Sequence, residues 1–97
     1  MTKTQVWWAV EHEVRELLLE DDQEVDELTG QEHLVELGLS SLLLARLIIQ
    51  LEMVLGVDPF AEDVVISDVR SVNDLVAAYE RTLASVAEDS ERKSHVA

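Results

Sequence analysis

The residues best placed to do chemistry sit in one short run, Leu37-Gly38-Leu39-Ser40-Ser41-Leu42. Two adjacent serines stand just before a long apolar stretch, where a helix is predicted to begin, and either one can cap it. Ser41 falls at the first turn of that helix, where amide protons lack intrahelical acceptors and the helix dipole favours negative charge. A serine hydroxyl so placed suits a covalently attached phosphate, because the helix end stabilises a phosphodiester. Gly38 permits a tight approach of the chain to the helix start. The residue types alone leave two roles open: a pair of caps, or an attachment point.

No competing chemistry is visible elsewhere. His12, His33 and His95 lie far apart in unlike contexts, without the spacing of a metal site. There is no cysteine, so disulfides, thiolate zinc sites and cysteine nucleophiles are excluded. The carboxylates lack the spacing of a calcium loop, and no glycine-rich phosphate loop is present. A chain this short leaves little room for an oxyanion hole and substrate pocket beside a serine nucleophile.

The elements that must position the serines follow from apolar periodicity. Val6, Val10, Val14, Leu17 and Leu18 recur at three- and four-residue spacing and predict a helix over 4–20. Trp7 and Trp8 are adjacent, so one of them is expected to be exposed. Residues 21–39 read as a long connection with a turn at Thr29-Gly30, anchored by Leu28, Leu34, Val35 and Leu37. A connection of that length is functional or locally helical. The second helix runs from the serines to Leu55 and stops at Gly56. It is apolar on nearly every face, so it is either central or partly a binding surface. After Asp58-Pro59 come Phe60, Val64, Val65 and Ile66 as anchors, then a short helical turn over 67–70. Ser71 and Asp74 have capping-box spacing and open a last helix through Val72, Leu75, Val76, Tyr79 and Leu83. Periodicity fades after Val86. The expected organisation is one all-α domain over 1–86, with three long helices and one short one, and a flexible tail over 87–97.

With 97 residues there is room for a single hydrophobic core. The net charge of −14, from 21 acidic and 7 basic side chains, argues against nucleic acid or an anionic membrane surface as partner. It favours partners with basic docking surfaces. Nine carboxylates and no Lys or Arg fall between Glu16 and Glu36. No leader or membrane-length apolar run is seen, which predicts a cytoplasmic protein and, at this size, a monomer.

The run Leu37-Gly38-Leu39-Ser40-Ser41-Leu42, followed by Leu47, Leu51-Glu52 and Gly56-Val57, resembles the acyl carrier and peptidyl carrier protein family. The likeness extends from about Val6 to Leu83. It implies a four-helix bundle of the acyl carrier type and no catalytic activity of the chain's own. By resemblance, Ser41 carries a 4'-phosphopantetheine arm donated by coenzyme A through a phosphopantetheinyl transferase. The arm's thiol would hold acyl or aminoacyl intermediates as thioesters. Gly38, Leu39, Ser40 and Leu42 would shape the attachment point, and Leu43, Leu44, Arg46, Leu47, Ile66 and Val69 would meet partners. Those partners would be an acyl or aminoacyl ligase or acyltransferase and downstream synthase enzymes. Two departures stand out. The family's Asp before the serine is Ser40 here, and the second helix opens with Leu43, Leu44 and Arg46 where fatty-acid carriers have acidic residues. The mixture points to a polyketide or nonribosomal peptide type pathway, and the start at Met1 with a tapering tail to a discrete carrier. The alternative is an interaction domain of the same fold without the arm.

Overall fold

A computed structural model describes residues 3–20, 27–61 and 64–96, with side chains over 5–87. Three α-helices order it: α1 (Lys3–Glu20), α2 (Ser41–Leu55) and α3 (Val72–Val96). Their apolar stripes meet in one core. Val6, Val10, Val14, Leu17 and Leu18 come from α1, Leu43, Leu47, Leu51 and Leu55 from α2, and Val72, Leu75, Val76 and Tyr79 from α3. Each stripe follows the period that puts every third or fourth residue on one helix face.

The helix ends are chemically specified. α2 starts on Ser40 and stops at Gly56, whose amide donates to the Glu52 carbonyl at 2.8 Å. α3 starts on a reciprocal capping box: the Asp74 amide donates to Ser71 Oγ at 3.1 Å, and the Ser71 amide donates to Asp74 Oδ2 at 3.2 Å. α3 is longer than its periodicity predicts, since the backbone stays helical to Val96 while, among the side chains described, the last buried one is Thr82.

The expectation of a fourth helix is corrected here. The chain is all-α, but among the described residues only three helices exceed one turn. The segment expected to form the short helix closes a single 3₁₀ turn, Ile66–Asp68, and a second such turn lies at Pro59–Ala61. Two causes keep it from winding further. Its flanks Val65 and Val69 are extended and β-branched, and no side chain caps its start. The residues after it are also tied to the first connection, because Leu34 donates its amide to the Arg70 carbonyl at 2.8 Å and His33 pairs with Ser71 as a β-bridge. That pairing needs extended backbone.

Several anchor assignments also change. Leu28 and Leu34 are buried as expected, but Val35 points to solvent, as do Val65 and Ile66. Trp8 is the exposed tryptophan and Trp7 packs against the core. Tyr79 is fully buried, edge-on to Phe60 with ring centroids 6.5 Å apart. Burial, with Asp58 and Glu52 nearby, pushes its phenol well above the ordinary range. No helix among the described residues is long and apolar enough to cross a membrane.

Candidate functional site

The segment before α2 is a coiled turn, not an open loop. The Leu37 amide donates to the His33 carbonyl at 3.2 Å, closing one helical turn. Gly38 then donates to Val35 at 3.1 Å, and Leu39 donates to Leu34 at 3.2 Å. This nested pair of bonds is a Schellman motif, and its pivot, Gly38, has φ +90°. Leu39 and Leu34, the two residues the motif brings together, are both buried. The role of Gly38 is therefore a left-handed backbone, where close approach alone was expected. Gly38→Ala is expected to cost about 1–2 kcal/mol, the price of a side chain in that region. A lowered urea midpoint with an unchanged slope would confirm it.

With Leu39 pinned inward, the next two residues emerge at the surface. Ser40 is the cap: its Oγ accepts from the Leu43 amide at 3.3 Å, and its carbonyl accepts from Leu44 at 2.8 Å. Ser41 is the first residue of α2 and is exposed. Its own amide and that of Leu42 have no acceptor within the helix, as helix geometry dictates. No acidic residue occupies the first turn of α2, in a chain with 21 of them. A hydroxyl here is open to a modifying enzyme, and a phosphodiester on it would meet the positive end of the helix without carboxylate repulsion. The residues present thus fit a covalently held phosphate group.

Residues 12–79 match the family described as phosphopantetheine attachment site. The chain belongs to that family. Its members are carriers for a phosphopantetheine arm and are not themselves catalysts, so 4'-phosphopantetheine is the prosthetic group this domain type receives. No curated protein and no solved structure matches the chain.

In this carrier the turn before α2 is latched to the start of α3. The Val72 amide donates to the Glu32 carbonyl at 3.1 Å, and the Asn73 amide donates to Gly30 at 2.9 Å. A Cβ on Gly30 would sit 2.2 Å from Asn73 Oδ1, which shows how closely the two segments approach. Carboxylates fix both sides of the latch. The backbone amide of Thr29, with that of Gly30 also bonded, holds the Glu32 carboxyl below its usual range. The amides of Arg70 and then Ser71 do the same for Asp74. A carboxyl depressed in the folded state contributes stability above its unfolded pKa and loses it as pH falls through the folded one. Asp74→Asn should therefore lower the urea midpoint at neutral pH, and the gap to the wild type should close below the carboxylate range. A gap that stays constant with pH would show that the charge is not what holds the latch. The capping-box spacing was legible in sequence, but its link to residues 30–34 was not, because backbone pairing leaves no residue signature.

The six expected partner contacts divide. Leu43 and Leu47 are buried in the core and cannot meet a partner, which corrects their assignment. Leu44 and Val69 are half-buried, and Ile66 is exposed. Arg46 is exposed and pairs with Glu20 of α1 at 3.0 Å. The outward face of α2 is instead Leu42, Ile49 and Met53, with Leu42 72% and Met53 75% exposed. These recur seven and four residues apart, opposite the buried Leu43, Leu47, Leu51 and Leu55. The signal was available as the complement of the leucine stripe, but a helix apolar on both faces does not say which face turns inward.

Proposed function

We propose that this protein carries acyl or aminoacyl intermediates on a phosphopantetheine arm esterified to Ser41. The observation that supports it is the exposed hydroxyl of Ser41 at the acid-free start of α2, directly after the Schellman turn. When bound, the arm supplies a thiol that holds cargo as a thioester. The chain's own residues do the positioning. Gly38 turns the backbone, Leu39 anchors it, Ser40 caps the helix, and the unpaired first-turn amides face the phosphate site. Tethering raises the concentration at which cargo meets each enzyme.

A phosphopantetheinyl transferase is the first partner, followed by an acyl or aminoacyl ligase or acyltransferase and the synthase enzymes of a polyketide or nonribosomal peptide type pathway, working with a monomeric carrier in the cytoplasm. The outward apolar face of α2 and the exposed Ile66 form the docking surface. Incubation with coenzyme A and a broad-specificity transferase is expected to add the mass of one arm, located on the peptide that contains Ser41. Absence of any addition to well-folded protein, or its location on another residue, would overturn the reading. The other reading, an interaction domain without an arm, draws on Ser40 standing where the family has an acid. It requires that several transferases leave the folded protein unmodified while it binds a partner directly.

A further inference from the structure

Leu34 is bonded in two directions. Its amide donates to the Arg70 carbonyl at 2.8 Å, and its carbonyl accepts from the Leu39 amide at 3.2 Å. The first bond belongs to the latch on the start of α3, and the second closes the Schellman turn that leads into α2. One buried residue thus joins the latch to the backbone two residues before Ser41.

Glu32 holds that latch twice. Its carbonyl accepts from the Val72 amide at 3.1 Å. Both oxygens of its carboxylate are also filled: Oε2 accepts from the Thr29 amide and Oε1 from the Gly30 amide, each at 2.8 Å. Gly30 in turn accepts from the Asn73 amide at 2.9 Å, and its own φ is +102°, a conformation that suits glycine. The carboxylate therefore braces the irregular stretch whose carbonyls receive the first two amides of α3. Those amides have no acceptor within their own helix.

We propose that Glu32 is a positioning residue for the modification of Ser41. Through the latch and Leu34 it fixes the direction in which the Ser41 hydroxyl meets a transferase. The proposal rests on Ser41 as the attachment point and adds a residue that acts on it from outside its own run. In the transfer, Ser41 Oγ bonds the pantetheine phosphorus, adenosine 3',5'-bisphosphate leaves with the electrons of the broken P–O bond, and the hydroxyl proton passes to the transferase. Attack needs the oxygen in line with the breaking bond, so a displacement of about 1 Å can cost on the order of a hundredfold in rate.

Glu32→Gln is the test. It keeps the size of the side chain, removes the charge and leaves one of the two amides facing an NH2 group. Initial rates of arm transfer from coenzyme A by a broad-specificity transferase are measured against carrier concentration, at a temperature where every variant is folded. The expected result is a kcat lowered by about tenfold or more, with KM for the carrier nearly unchanged because the outward face of α2 is untouched. Amide hydrogen exchange should show Leu34 and Leu39 losing protection while the core amide of Leu47 keeps it. Val10→Ala, which thins the core on α1, should leave kcat as in the wild type. A wild-type kcat in Glu32→Gln, a change confined to KM, an equal slowing by Val10→Ala, or unaltered exchange at Leu34 and Leu39 overturns the proposal. Peptide mapping of the wild-type product separates this from failure of the attachment site. An unmodified chain, or an arm on another residue, overturns the reading of Ser41 and the role of Glu32 with it, whereas any of the four results on a normally labelled Ser41 overturns the role of Glu32 alone.

Discussion

Ser41→Ala is expected to abolish uptake of the phosphopantetheine arm and to leave the helical content and urea midpoint of the protein nearly unchanged. Loss of uptake follows from chemistry, because alanine offers no hydroxyl to receive the phosphate. Retention of stability follows from position. Ser41 is exposed at the first helical residue of α2, and its side chain is not the one that caps the helix. Alanine is the best helix former, so the backbone tolerates it there.

Ser40→Ala should behave in the opposite way. Its Oγ accepts the Leu43 amide, and removing that bond costs about 1 kcal/mol of stability while leaving the hydroxyl of Ser41 in place. The two adjacent serines are therefore separable by experiment: one variant loses modification and keeps stability, the other loses stability and keeps modification. Intact mass after incubation with coenzyme A and a transferase, with urea denaturation on the same samples, reads both. Equal labelling of wild type and Ser41→Ala would remove Ser41 from consideration.

That the two serines divide their roles was only half legible in the sequence. Both types favour a helix start, and nothing in their identity says which one precedes the first helical residue. The assignment depends on where Gly38 turns the chain and how far Leu39 is drawn inward, which are properties of the Schellman turn. The helices with one apolar stripe were easier to read, since α1 and α3 bury the residues their spacing singled out. The short fourth helix was misjudged for a physical reason. Residues around Ile66 have apolar spacing, but their conformation is decided by the Leu34–Arg70 and His33–Ser71 pairings, made with a segment more than thirty residues away. Tertiary pairing of this kind overrides local pattern, and propensity carries no record of it. Val35 and Val65 fail as anchors for the same cause: in irregular segments there is no period to say which side faces in.

Leu47 and Leu42 give the second large effect, and they decide between two accounts of α2. If Leu47 met partners, its truncation would weaken docking and leave the free carrier intact. It is instead fully buried in the core, so Leu47→Ala removes packed methyl groups and leaves a cavity. The cost is expected to be about 2–5 kcal/mol, a large share of the roughly 5–15 kcal/mol that holds a domain folded. Leu42→Ala takes away a side chain already 72% exposed, and its effect on stability should stay within about 0.5 kcal/mol. Its effect should appear in transfer of the arm, because Leu42 stands beside Ser41 on the surface an approaching transferase must cover. Urea denaturation of the two variants, set beside their initial rates of modification at a temperature where both are folded, separates stability from docking. The reverse pattern, a stable Leu47→Ala with a slowed transfer and a destabilised Leu42→Ala, would mean that α2 is rotated by half a turn from the orientation in which its leucine stripe fills the core.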